Sequence, residues 1–305
     1  MIKFFTPCSQ WLRGAKSFYF SVKEVKMKFS QLFKFFAVTI LILFSYSVCF
    51  GSQAAQPVIQ IFTEKPQQGS MIVGRMLVDG DIYFDDKKLP LTETGEFVFG
   101  VGRDTQHQVQ LVIRSKEETI KYPLYIKKRQ WKIEKVDGLP AEKVNPKSKE
   151  TLDRIKQEGD KVRQARIGIS AQNAFLMEFI LPAKGRISGV YGSQRVLNGE
   201  PKRPHFGLDI ANKVGTTVVA PADGVVTLVE KDLFYSGGTI IIDHGFGIST
   251  TYIHLNSVDV TLGQEIKQND KIATIGSTGR ATGSHLDWRL NWLSTRLDPQ
   301  LLISK

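Results

Sequence analysis

Four of the five histidines in this chain lie between positions 205 and 285, and three of them sit in short runs with carboxylates or glycine. The first run is Arg203-Pro204-His205-Phe206-Gly207-Leu208-Asp209. In a straight strand four residues at about 3.3 Å each would hold His205 and Asp209 roughly 13 Å apart. They can share a ligand only if the chain bends between them, and Gly207 permits that bend. The second run is Tyr252-Ile253-His254-Leu255, and the third is Gly283-Ser284-His285-Leu286-Asp287, where period 2 puts His285 and Asp287 on one face of a strand. Imidazoles and carboxylates gathered from separated segments suit a borderline-soft divalent cation, with Zn2+ the leading candidate. A lone HxxxD is usually structural, and it is the joint occurrence that points to a metal.

The elements around these residues are short strands. Gly224–Val229, Thr239–Ile242 and Lys271–Ile275 are β-branched runs broken by glycine, and no stretch of helical period follows residue 170. Residues 57–130 also alternate as half-buried strands, with turns at Lys65-Pro66, Asp79-Gly80 and Thr94-Gly95. That spacing suggests a small β-sandwich without a catalytic constellation. Between the halves, Asn145-Pro146 offers an N-cap with proline at the first helical position. Leu152, Ile155 and Val162 then recur at helical spacing among charges, which predicts a solvated helix over about 146–166. The expected fold class is all-β: a signal peptide over 1–52, a sandwich-like domain over 53–135, a linker over 136–178 that carries the helix, and a β domain over 179–305.

The first fifty residues read as an address. Phe35–Phe50 runs sixteen residues without a charge, Lys28 and Lys34 precede it, and Gly-Ser-Gln-Ala-Ala follows. This is a secretory signal pattern, short for a spanning helix, and Met27 is a plausible start. The alternative is an uncleaved N-terminal anchor, the one expected route to a membrane. Both cysteines, Cys8 and Cys49, fall inside this segment, so the mature chain has no disulfide or thiolate chemistry. Residues 1–51 carry seven basic side chains and one acidic, which leaves +5 of the net +11 for the remainder. That mild surplus gives no reason to assign nucleic acid as a partner. The expected location is the periplasm or the exterior.

Residues 180–299 resemble the LytM/lysostaphin-type zinc metallopeptidases of the M23 family. The likeness rests on Gly185-Arg186-Ile187-Ser188-Gly189-Val190-Tyr191-Gly192, His205-x-x-x-Asp209, Ala220-Pro221-Ala222-Asp223-Gly224, Asp243-His244-Gly245, Tyr252-Ile253-His254-Leu255 and Gly276-Ser277-Thr278-Gly279 through His285-Leu286. The resemblance implies an antiparallel β fold with an open groove. It also implies a zinc ion on His205 and Asp209, and hydrolysis of the stem-peptide cross-links of peptidoglycan. By the same resemblance His254 and His285 are catalytic residues that serve the attacking water and the tetrahedral intermediate. The family's third ligand is the second histidine of HxH, and Asp287 stands in its place here. A carboxylate can bind zinc at a similar distance, so Asp287 completes the expected set. The substitution also leaves open a manganese site, a site that has lost its metal, or a LytM-type regulator that binds and activates cell-wall amidases. His244 reads as a structural turn residue and His107 as a surface strand residue. Arg289, Trp288 and Trp292 are candidates either for the groove or for plain core and surface.

Overall fold

The structure, a computed structural model, describes residues 57–303. The signal segment expected over 1–52 lies outside the described residues. Among those described, no helix is long and apolar enough to cross a membrane.

The fold is predominantly β. Its centre is a ten-stranded sheet in which Gly224–Leu233, Gly237–Gly245, Ile248–Val258, His285–Trp292, Leu208–Ala211 and Arg186–Gly189 lie side by side in that order. The middle strands carry long β-branched runs and are buried on both faces, as Thr239-Ile240-Ile241-Ile242 shows. One face packs Leu208, Ile210, Val226, Ile240, Ile242, Tyr252 and Trp288 into a continuous core. The other meets the N-terminal half.

That half has two antiparallel sheets. One joins Ile59–Ile61, Met71–Met76 and Glu96–Gly100; the other joins Lys87–Lys88, Asp81–Phe84, Gln108–Arg114 and Thr119–Tyr125. Phe84, Phe97, Phe99 and Ile113 share one apolar cluster with Phe246, Ile248, Leu290, Trp292 and Leu297 of the large sheet. The Phe84 and Trp292 rings are 5.9 Å apart. Gly100 needs to be glycine at this junction, because a Cβ there would stand 2.8 Å from both Trp292 and Leu297 side chains. The half-buried Arg129 pairs with the buried Asp298 at 2.7 Å and adds a polar tie across the same junction.

The helix runs over Lys149–Ile167, and Ser148 caps it by accepting from the Thr151 N–H at 3.2 Å. The cap expected at Asn145 is displaced by three residues. Asn145 instead closes a four-residue helix, Ala141–Val144, and donates its Nδ2 to Glu200 at 2.6 Å. Ile155 and Val162 are half-buried whereas Leu152 is exposed. Ion pairs bring the helix to the strand Gly224–Leu233 beneath it, with Lys161 on Glu230 (2.7 Å) and Arg154 on Asp232 (3.2 Å). At its C-terminal end the buried Arg166 donates Nη2 to Thr251 Oγ1 at 2.8 Å.

Candidate metal centre

Three adjacent strands of the large sheet bring the chemistry together. Asp209 lies on Leu208–Ala211, opposite Asp287 of His285–Trp292, and Asp287 in turn faces Ile253, next to His254, on the third strand. His205 precedes the first strand, and the chain turns at Gly207 as the spacing requires. The turn leaves His205 Nε2 3.0 Å from Asp209 Oδ1 and His205 Nδ1 4.0 Å from Asp287 Oδ2. One ligand atom from each of His205, Asp209 and Asp287 falls within 4.8 Å of the others, and all three residues are buried. A bulge in the pairing between Asp209 and Ile210 sets the first strand against Arg186–Gly189, which fixes how Asp209 presents its carboxylate.

Two glycines make room for these carboxylates. A Cβ on Gly189 would overlap Asp209 Oδ2, and one on Gly207 would overlap Asp287 Oδ1. The donors themselves are under-satisfied: His205 Nδ1 and Nε2 and Asp209 Oδ1 are buried without a hydrogen-bond partner. Orphaned buried nitrogens and carboxylate oxygens cost free energy unless a ligand satisfies them. One imidazole and two carboxylates, aimed at a common point with lone pairs unspent, fit a divalent cation.

Asp287 is held differently from the other two. Arg289, two residues along the same strand, donates Nη2 to Oδ2 (2.6 Å) and Nε to Oδ1 (3.0 Å). Burial raises the Asp287 carboxyl, but the Arg289 guanidinium and His205 outweigh it and hold the group well below the usual carboxylate range. Each carboxylate oxygen has a second lone pair, so the fork leaves Asp287 capable of ligation. Arg195 lies 3.4 Å from Asp209 Oδ2.

His254 and His285 flank the donors, with ring centroids 4.8 Å apart. His254 has the left-handed φ of +66°, and its backbone N–H donates to the Ser236 carbonyl at 2.8 Å. That conformation is uncommon for a non-glycine residue, though histidine adopts it more readily than most. Nδ1 of His254 lies 2.7 Å from the Thr278 carbonyl, and Nδ1 of His285 lies 2.9 Å from the Gly283 carbonyl. A carbonyl only accepts, so each Nδ1 carries a proton, and in a neutral His254 ring Nε2 is left with its lone pair. Burial pushes His254 down to about 4, with the Asp287 charge only partly opposing it, so the ring is neutral at neutral pH. His285 Nε2 is 3.9 Å from Asp209 Oδ1.

The remaining candidates separate cleanly. His244 is fully buried, bonded through Nδ1 to the Asp223 carbonyl (2.6 Å) and through Nε2 to Thr250 Oγ1 (2.7 Å), and has a structural role. His107 is exposed at the start of its strand. Trp288 and Trp292 are core residues, whereas Arg289 enters the site. The Arg289–Asp287 fork is signalled in the sequence only by the period-2 spacing of the two residues on one strand face. The strand Ile133–Val136 pairs in parallel with Gln194–Leu197 beside the centre, a contact with no local signal in the sequence. Glu134, Val136 and Leu139 thereby wall a cavity of about 160 Å³ that holds Asp209, His254 and His285.

The profile of Peptidase family M23 matches residues 203–299, the stretch that supplies all five of these residues. Residues 203–299 thus carry a Peptidase family M23 domain. Over 167 residues it is 35% identical to the peptidoglycan DD-endopeptidase ShyA of Vibrio cholerae, an alignment that takes in 53% of this chain and 38% of ShyA. Over 103 residues it is 37% identical to the DD-carboxypeptidase/endopeptidase Mpg of Neisseria meningitidis, covering 34% of this chain and 24% of Mpg. The chain thus spans well under half the length of these curated relatives. A crystal structure from Pseudomonas aeruginosa assigned to peptidase M23 superimposes with a TM-score of 0.62 at 26% identity, covering 79% of this chain and 96% of the other. That coverage reaches far beyond the M23 domain, so the likeness takes in part of the N-terminal half as well.

Proposed function

We propose that the chain is a zinc metalloendopeptidase that acts outside the cytoplasm on the peptide cross-links of peptidoglycan. The observation that carries this reading is the buried His205–Asp209–Asp287 donor group with two imidazoles, those of His254 and His285, at its edge. The relatives named above as peptidoglycan endopeptidases support the substrate class.

A zinc ion held by His205, Asp209 and Asp287 would supply Lewis acidity to the scissile carbonyl and to the attacking water. The chain's own residues do the rest. His254, fixed by the Thr278 carbonyl, accepts the proton of the attacking water at Nε2. His285 stands across from it, and with a proton on Nε2 it donates to the oxyanion as negative charge develops there. Arg289 holds Asp287 in place, and Arg195 does the same for Asp209.

The test is mass spectrometry of purified sacculi incubated with the protein and zinc, alongside EDTA-treated and His254→Ala samples. New uncross-linked stem peptides, absent from both controls, support the reading. A folded, zinc-loaded protein that releases none would overturn it. That result would favour a second reading, a non-hydrolytic LytM-type regulator of amidases, to which the occupancy of both Asp287 oxygens by Arg289 lends support.

A further inference from the structure

Beside His205 and His254 opens a cavity of about 550 Å³ into which Arg195, Lys202, Arg203, Arg280, Arg289 and Arg296 converge, and no carboxylate lines it. Three of these cations have carboxylate partners: Arg289 has Asp287, Arg195 has Asp209, and Lys202 has Glu200 at 3.0 Å. The other three have none among the described ion pairs. Arg296 donates Nη1 to Asn291 Oδ1 and Arg280 donates Nη1 to the Lys143 carbonyl, both at 3.1 Å. These neutral acceptors position a guanidinium without cancelling its charge. Arg280 is further pinned over the Tyr235 ring, 4.5 Å from its centroid. Arg203 is exposed at the mouth.

Gathering like charges in a half-buried cavity opposes folding. Burial, followed by repulsion from Arg289, lowers Arg296 to about 10, in keeping with that crowding. Guanidinium groups match the planar oxyanion of a carboxylate by paired N–H donors, and they do so best where water is partly excluded. We infer that this cavity is an anion-binding subsite that receives a free carboxylate of the peptide flanking the scissile bond. The inference rests on the peptidase reading for the identity of the ligand, but not for the presence of an anion site.

The experiment is equilibrium binding to the full chain by calorimetry, which needs no turnover. The probes are an uncross-linked stem tetrapeptide with free carboxylates, the same peptide with its carboxylates amidated, and inorganic phosphate. The free acid is expected to bind at least tenfold more tightly than the amide, with the preference falling as salt rises. Arg203→Gln/Arg280→Gln should abolish the preference, and Arg203→Lys/Arg280→Lys should keep part of it. Arg203→Gln alone, at an exposed position, should reduce the preference and guards against a folding defect in the double variant. Equal binding of acid and amide would overturn the assignment, and so would a preference that survives the glutamine variant. Phosphate binding that is lost in the glutamine variant, with acid and amide bound equally, would show a phosphate site and would also overturn it. A protein that binds the acid selectively yet cleaves no sacculi would refute the endopeptidase reading and leave the subsite standing.

Discussion

Asp287 and Arg289 alternate along one strand and meet as a two-pronged ion pair, Nη2 to Oδ2 at 2.6 Å and Nε to Oδ1 at 3.0 Å. The pair changes how the missing histidine should be understood. A His-Asp-Asp donor set carries one more negative charge than His-Asp-His. Arg289 returns that charge, so the centre has the same net charge as the family's set. The fork also constrains the Asp287 rotamer, as a partner to a ligating group commonly does.

Removing the fork should therefore be costly. Arg289→Met strands a carboxylate in the core, and breaking such a pair from one side costs about 3–5 kcal/mol. The lower end applies here, because a quarter of the Arg289 side chain remains exposed while Asp287 is 1% exposed. Denaturant unfolding of the metal-free protein should show that loss. Arg289→Met/Asp287→His, which removes the charge to be compensated, should regain most of it. An Arg289→Met protein as stable as wild type would show that the fork is incidental.

His254→Ala should separate binding from chemistry. The residue does not belong to the donor group, so zinc content by mass spectrometry should stay near wild type. Release of stem peptides should fall by about 10²–10⁴, the usual contribution of a positioned proton acceptor. Loss of zinc together with activity would instead make His254 a ligand.

Gly189→Ala and Gly207→Ala should weaken the metal site without touching a ligand. Each new Cβ would overlap a carboxylate oxygen, that of Asp209 or of Asp287, in a core too tightly filled to yield freely. A drop of about 10–100-fold in zinc affinity is expected, the range for disturbing what supports a ligand. Competitive titration against a chelator of known affinity measures it. Unchanged affinity in both variants would mean that neither carboxylate contributes.

Much of this centre was legible in the sequence. The bend at Gly207 between His205 and Asp209 and the shared face of His285 and Asp287 follow local rules, whereas the meeting of these residues with His254 rests on pairing between distant strands, which only the family resemblance implied. The helix was legible by its period, yet its start was not. Ser148 and Asn145 are both good caps, and the choice fell to Ser148 because Asn145 is taken by Glu200, fifty-five residues away. Contacts of that kind carry no local signal. The same holds for Phe84 against Trp292, and for Ile133–Val136 alongside Gln194–Leu197, where each segment's own alternation is silent about its partner.

Stability should depend on pH through His244. Burial pushes this ring down to about 4 against an ordinary 6.5, so the folded protein keeps it neutral. Between those values the unfolded chain takes up a proton that the native state refuses. The contribution is thus fully present above pH 6.5 and is lost as pH falls toward 4, by roughly 3 kcal/mol. His244→Gln should be less stable at pH 7, because the bonds to Asp223 and Thr250 are disturbed, but its stability should fall less steeply toward pH 4.5. Parallel slopes for variant and wild type in urea unfolding would remove His244 from the account.

The wall beside the centre should act as a restraint on access. Leu139 and Val144 pack on Leu197 in a three-residue apolar cluster separate from the two large cores, and Asp209 and His254 are 7% and 5% exposed behind it. So small a cluster supplies only a few kcal/mol of burial, at about 1.5–3 per side chain, so this segment is among the easier parts of the fold to open. Leu139→Asp should therefore loosen residues 133–144 while the large sheet stays intact. Hydrogen exchange in that segment should quicken while the strands Gly237–Gly245 and Ile248–Val258 remain protected, and release of stem peptides from sacculi should rise. Faster exchange with unchanged release would show that the segment covers the centre without limiting entry to it.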